Sequence, residues 1–423
     1  MNHRSTTIAI VALLAGTPAF AGPEMSAAEN VETSSSSSGA TGFLLGRLSG
    51  ETAMDRMWSA ATLYKDENNP ILQEFALQGR HQMQFGFGDA DSNDRYNFGA
   101  RDSDFYGEHL EVRRARYGFK SKWFNKFKFD GQINIWPEFE DAEGEPAVYR
   151  NLYDLYITYA ASDALNVSAG KTKVKFTREQ EISSKEILTI ERSLLSNQLF
   201  PGELTGIWAN GKDIAGGWLY EAGLYSNDRD RDFSNFASDS GLLFLGKIGY
   251  DYGDAAGFDS AVASVHYMYN SEPGYTNGQS FSENSPRFDH SFALTNDITK
   301  GRFGLVTDFY AALGNDDIAQ PDVVGATFIP SYYVAEGLQV VGRFQIAGAN
   351  NRGLALYSRY EDAFVDQAGL PDDVSSYWSA YLGLNYYIYG HKLKLMNGIE
   401  YSQAAGGDVY DGYTVFSGLR FSF

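Results

Sequence analysis

Three cations stand at even spacing within Glu111–Asp130: Arg114, Arg116 and Lys120. In an extended chain they share one face with Gly118, while Ala115, Tyr117 and Phe119 take the other. Positive charge along a narrow, water-filled wall concentrates anions and supplies donors that replace part of their hydration. Such a wall makes and breaks no bond. A second set, Lys171, Lys173 and Lys175, alternates along a strand expected over 164–176, and Lys185 and Arg192 follow in the irregular stretch after it. Further basic candidates for the same wall are Arg80, Lys128, Lys247, Arg302, Arg343, Lys394 and Arg420, opposed by Asp130, Asp154, Glu221, Asp308 and Glu400. Most of these pairs serve to neutralise and stiffen a wall. The excess of positive charge is the signal. A catalytic set is not indicated: His266 shares a strand face with Ser264 but has no third partner. The six histidines show no metal-ligand spacing, and no cofactor motif occurs.

The elements that hold these residues are strands. From Ile71 the chain alternates apolar and polar residues over sixteen candidate spans: 72–87, 108–122, 126–138, 150–160, 164–176, 203–213, 215–226, 240–251, 258–271, 287–299, 301–314, 321–334, 338–349, 375–389, 391–403 and 412–423. Phe127, Phe129, Ile133 and Ile135 oppose Lys128, Asp130, Gln132 and Asn134, for example. The connections alternate between short turns and long loops, which is the pattern of an outer-membrane barrel. The strands exceed the mode of about five or six residues of soluble sheets and suit a tilted crossing. The apolar face then meets lipid, and Arg114, Arg116 and Lys120 face the lumen. Lys171, Lys173 and Lys175 share the parity of the lipid-facing Leu165 and Val167, and a bulge near Gly170 is expected to turn them into the lumen; without it they sit in the outer rim. The expected fold is an all-β, transmembrane antiparallel barrel of about 16 strands.

The alternation stops between Thr177 and Gly202, a charged, Ser-rich and partly helix-forming stretch. A connection this long in a β-protein is usually functional. It reads as a loop folded back into the barrel to narrow its pore, with an ordinary surface excursion as the alternative. Its Glu179, Glu181, Glu186 and Glu191 oppose the basic residues there.

Composition agrees. Tyr 28, Phe 29 and Gly 44 against only Pro 11 suit a large antiparallel sheet, and no cysteine is present to form disulfides. Mean hydropathy is −0.33, and past the N-terminus no apolar run reaches the ~20 residues of a membrane helix, so a membrane protein of this kind must be a closed sheet. The net charge of −20 argues against nucleic acid as a partner. Much of that acid falls in expected loops, at Asp89, Asp91, Asp94, Asp102 and Asp104 and at Glu361, Asp362, Asp366, Asp372 and Asp373. Acid at the mouth repels anions at low salt, within a Debye length of ~10 Å.

Residues 1–21 read as a signal peptide, with His3 and Arg4, the apolar run Ile8–Ala15, and an Ala19-Phe20-Ala21 cleavage site. Residues 22–70 form a leader, low in complexity at Ser34–Ser38, with a short amphipathic helix expected within Phe43–Leu63. A plug, a periplasmic extension and a flexible leader all fit it. The barrel is expected over 71–423. It ends in Phe423 with Phe421 two residues before, similar to the C-terminal sorting signal of bacterial outer-membrane barrels, although Phe416 stands where that signal is usually polar.

The blocks EVRRARYGFKSKWFNKFKFD (111–130), LYDLYIT (152–158), LNVSAGKTKVKF (165–176) and SSKEILTIERSLL (183–195) resemble the phosphate-selective porin O/P family of Gram-negative outer membranes. The similarity is clearest over about 107–206. Toward the C-terminus only the strand pattern carries it. The resemblance implies a 16-stranded barrel, usually a homotrimer, whose third external loop folds inward at 177–202. It implies passage of small hydrophilic solutes, without guaranteeing phosphate. Three function classes follow. The first is a diffusion channel with a modest preference for anions such as phosphate. The second is a sugar-passing channel that uses lumen tyrosines (Tyr156, Tyr225, Tyr310, Tyr377, Tyr381, Tyr387). The third is a barrel enzyme or secreted soluble β-protein.

Overall fold

In the computed structural model the described residues are 50, 52–93, 103–136, 144, 146–228, 232–234, 241–273, 287–318, 320–355, 373–406 and 409–423. The expected signal peptide, Ser34–Ser38 and the acidic Asp94, Asp102 and 361–372 lie outside them.

Sixteen strands make the wall: β1 (Leu72–Asn93), β2 (Ser103–Trp123), β3 (Phe127–Ile135), β4 (Tyr149–Ser162), β5 (Leu165–Lys173), β6 (Glu203–Ile214), β7 (Trp218–Ser226), β8 (Leu242–Asp251), β9 (Ser260–Asn270), β10 (His290–Lys300), β11 (Phe303–Leu313), β12 (Val323–Ala335), β13 (Leu338–Ala349), β14 (Ser376–Tyr389), β15 (Leu393–Ala405) and β16 (Val409–Ser422). Each pairs antiparallel with its predecessor, and β16 pairs with β1 from Val409↔Asn93 to Ser422↔Arg80, which closes the ring. Closure leaves no edge strand, and so no row of unpaired backbone groups in lipid. No helix among the described residues is long and apolar enough to cross a membrane. All sixteen expected strands are present, but β1 and β2 run on to Asn93 and back from Ser103. Asp89, Asp91 and Asp104 therefore belong to a tall hairpin, not to a loop.

Burial is inverted relative to a soluble protein. Leu110, Ile207, Ile248, Val324 and Leu382 are exposed on the outer face, whereas Arg343, Lys394 and Arg420 are buried inside. The alternation read from the sequence produces this arrangement: an outward-facing Arg at the bilayer midplane costs ~2–4 kcal/mol, so the apolar set takes the lipid side. Tight turns close the short-loop rim. In the turn after β2, Phe124 (φ 50) and Asn125 (φ 59) both take positive φ, the geometry that matches strand twist in a two-residue hairpin. Trp123, Trp218 and Tyr250 sit beside such turns and supply the interfacial aromatics of a membrane barrel.

Residues 52–65 form a helix and a short strand. Helix α1 (Ala53–Ser59) is held by a capping box between Thr52 and Asp55. Trp58 donates from Nε1 to the carbonyl of Ser422 at 2.7 Å and packs on Tyr389 and Phe421. The chain then pairs Thr62–Lys65 with Glu74–Ala76 of β1, so the sheet begins before residue 71. This short strand covers the part of β1 that β16 is too short to reach. Phe423 and Gly79 exchange two backbone hydrogen bonds of 3.0 Å, and a Cβ at Gly79 would meet the Phe423 ring at 2.6 Å. Deleting Phe423 removes both bonds and the ring at the closing seam. We expect export to continue while the amount of heat-modifiable, protease-resistant barrel in the membrane falls several-fold. Normal barrel levels in the truncated protein would rule out this role for the terminal residue.

Candidate functional site

The stretch after β5 folds inside the barrel. Thr177, at φ 76, turns the chain off the wall and caps α2 (Arg178–Glu181), and α3 (Leu194–Gln198) follows Ser193. Four apolar residues of the strand ends and loop (Val174, Phe176, Leu194, Leu195) pack with Leu204 and Tyr225 of the wall. That burial supplies the non-directional part of the docking. Polar ties fix its path. Asp308 on β11 accepts the backbone N–H groups of Arg178 (3.2 Å) and Glu179 (3.0 Å). Gln345 on β13 accepts that of Leu194 at 2.8 Å. Lys394 on β15 and Arg420 on β16 donate to the carbonyls of Ile187 (2.7 Å) and Ile190 (2.9 Å). The loop thus spans the lumen from β11 to β16.

The eight basic residues singled out in the sequence separate into three groups. Arg114, Arg116 and Lys120 face inward as expected, opposite Tyr117 and Phe119, which are exposed to lipid. Arg114 is buried and donates to Gln82 at 3.0 Å. Arg116 is partly exposed and donates to Asn134 at 2.6 Å, and Lys120 is exposed. Lys173 reaches the loop, donating to the carbonyl of Gln180 at 2.8 Å, and Lys175 is exposed. Lys185 approaches the Phe423 carbonyl oxygen at 3.5 Å, and burial together with Arg80 and Lys120 lowers its pKa to about 8. The other two depart from expectation. Pairing of β5 with β4 and β6 runs unshifted through Gly170, although that glycine has φ +134. No bulge therefore turns the three lysines together: Lys171 is buried with its ammonium donating to the carbonyl of Asp232, while Lys173, at the same parity, reaches the loop. Arg192 is buried and donates to the carbonyls of Glu179 and Ile182, both at 2.7 Å. It shapes the loop and offers nothing to a solute. Arg302 lies exposed in the turn between β10 and β11.

Bulges do occur, but elsewhere. Between Gln82↔Arg114 and Met83↔Val112 the register slips by one, and Arg113 is the extra residue. Arg113 and Arg114 then both face Glu191 of the loop, at 2.6 Å and 3.9 Å. Gln84 adds a hydrogen bond to the same carboxylate at 2.8 Å. Burial opposes ionisation of Glu191, but the two guanidinium groups outweigh it and hold its pKa well below the carboxylate range. A second slip, between Gln132↔Asp154 and Ile133↔Leu152, turns Tyr153 inward beside Arg116. The facing wall is more acidic. There Arg178 binds Asp297 (2.7 Å) and Glu181 (3.1 Å), and Lys247 also donates to Glu181.

The family model for phosphate-selective porins O and P matches residues 75–406. The chain belongs to this family. It is a passive porin of the bacterial outer membrane. Solved structures repeat the fold at low identity. An anion-selective porin from Comamonas acidovorans is 14% identical with a TM-score of 0.54, over 82% of this chain and 99% of that one. A loop-deletion variant of OmpT from Vibrio cholerae is 14% identical with a TM-score of 0.51, over 82% and 99%. OprB of Pseudomonas putida is 11% identical with a TM-score of 0.50, over 82% and 94%. No curated protein matches the chain significantly.

The remaining candidates in the porin lumen have structural partners. Of the six tyrosines proposed to stack on sugar rings, Tyr225, Tyr310, Tyr377, Tyr381 and Tyr387 are buried, and only Tyr156 keeps partial exposure. A ring with no accessible face cannot stack on a passing sugar. His266 is fully buried, with Ser264 at 3.2 Å and Phe176 edge-on to its ring. Among the described residues no group of His, Asp or Glu has metal-binding geometry.

Proposed function

We propose that the porin passes small hydrophilic solutes with a modest preference for anions, acting as a channel without chemistry of its own. The observation that carries this reading is one stretch of wall. Arg116, Lys120 and Lys128 point inward from β2 and β3, keep partial or full exposure, and form no ion pair among the described residues. Elsewhere at the constriction Arg113, Arg114, Arg178 and Arg343 are compensated by carboxylates. Uncompensated charge beside a low-dielectric wall raises the local anion concentration. Asp130, which faces Lys120 across the β2–β3 pair, keeps the preference modest. The homotrimer implied by the family resemblance, and export by residues 1–21, belong to the same reading.

Changing Arg116, Lys120 and Lys128 together to Glu tests it. In a salt gradient the reversal potential should move toward cation selectivity, and the shift should shrink as rising ionic strength shortens the field. A folded triple variant with the wild-type reversal potential would place these side chains off the conduction path.

A further inference from the structure

Arg116 differs from the other arginines at the constriction. Its guanidinium carbon lies 3.4 Å from the centroid of the Tyr153 ring, a stacked cation–π contact. Its Nε donates to Asn134 at 2.6 Å. These two contacts fix the plane and the rotation of the group. Both contacts come from the wall, and the second slip in β4 is what brings Tyr153 there. The terminal nitrogens Nη1 and Nη2 have no acceptor among the described residues, and the side chain is only partly buried. By contrast Arg80 spends its terminal nitrogens on Ser184 (2.5 Å) and Gln132 (3.2 Å), and Arg343 on Glu191 and Glu400.

We propose that Arg116 is a specificity-determining fork in the porin wall, which recognises oxyanions carrying two terminal oxygens, as carboxylates and phosphate do, over halide ions. This rests on the anion-preferring reading above and adds shape to charge. A guanidinium fixed in plane presents two parallel N–H donors, which two oxygens of one solute accept together. A spherical halide engages the same edge without that match. Stacking on Tyr153 removes the rotamer freedom that binding would otherwise have to freeze, so the fork is pre-organised while a single contact stays weak enough for release. Asp154 lies nearby but accepts from Gln132 and from the backbone of Lys173, at 3.0 and 3.3 Å, which leaves the fork open.

The test compares anions rather than anion with cation. Reversal potentials are measured in planar bilayers under chloride against acetate and chloride against phosphate, for wild type, Arg116→Lys, Tyr153→Leu and Lys128→Met. Lysine keeps the positive charge and loses the fork. Arg116→Lys should lower oxyanion permeability relative to chloride by about two- to tenfold, the net worth of one ordinary hydrogen bond. A fall with acetate assigns the fork to carboxylates, and a fall with phosphate assigns it to phosphate. Tyr153→Leu should lower the same ratio less, because Arg116 remains but is no longer held flat. Lys128→Met should weaken preference over potassium without changing the ratio between anions. An unchanged ratio in Arg116→Lys for both oxyanions overturns the fork, as does an equal fall in Lys128→Met. Wild type that prefers potassium over chloride overturns the anion-preferring reading instead, so the two failures are separable.

Discussion

Deleting residues 179–197 roughly doubles the single-channel conductance or more, and at the same time strengthens anion preference. The first effect follows from position: the deleted segment lies across the lumen between Asp308 on β11 and Arg420 on β16, and pore cross-section governs passage. The second follows from charge. The segment carries Glu179, Glu181, Glu186 and Glu191 against Lys185 and Arg192, four acids minus two bases, so its loss leaves the lumen two charges more positive. It also strips Glu191 from Arg113 and Arg114, and the carbonyls of Ile187 and Ile190 from Lys394 and Arg420. Those cations then meet water and solute. Heat-modifiability of the variant reports whether the barrel still closes, because the sixteen-strand hydrogen-bond ladder lies outside the deletion. Unchanged conductance in a closed barrel would place the segment outside the ion path. Raised conductance with unchanged selectivity would mean that the freed cations re-pair with one another's acids on the wall.

The strands, their order and the inward loop were legible because lipid enforces them. Only a closed sheet survives the bilayer, and its two faces differ in solvent, so alternation shows in the residues themselves. What eluded the sequence reading was where that alternation slips. Leu110 and Val112 are apolar at even positions, while Ala115, Tyr117 and Phe119 are apolar at odd ones. That switch of parity requires an extra residue between them, and Arg113 is that residue. The same logic argues against a bulge at Gly170: a glycine permits unusual backbone angles but does not by itself change which residue pairs with which. Arg192 turns back onto the loop's own carbonyls, which no strand pattern reports, and the buried tyrosines have another cause. Parity tells which face of the wall a side chain takes, but not whether an inserted loop then covers it. Helix α1 falls within the amphipathic stretch Phe43–Leu63, yet its seat against Phe421 and Tyr389 depends on where the two chain ends meet in the closed ring.

Arg343 is the clearest case of a side chain whose role depends on that cover, and its replacement should have the largest effect on stability. It lies between β13 and the loop with its side chain 3% exposed, and Glu400 on β15 is 6% exposed. Nη2 of Arg343 donates to both oxygens of Glu400, at 2.7 and 2.9 Å, and Gln345 (3.3 Å) and Ser379 (2.5 Å) also donate to that carboxylate. The other terminal nitrogen of Arg343 donates to the carbonyl of Glu191 at 2.5 Å, so one group ties two strands and the loop. Arg343→Met leaves a carboxylate buried without its counter-charge, and should cost ~3–5 kcal/mol in denaturant unfolding from vesicles. Arg343→Met with Glu400→Leu removes both charges and should regain most of that loss, since apolar replacement of a buried pair is often close to neutral. The double variant still lacks the tie to Glu191, so its single-channel current should be noisier than wild type while its unfolding midpoint is nearly restored. Equal losses in the single and double variants would show that packing around Arg343, rather than the ion pair, holds this part of the wall. A quiet double-variant current would show that the remaining ties, from Lys394, Arg420 and Asp308, suffice to hold the loop.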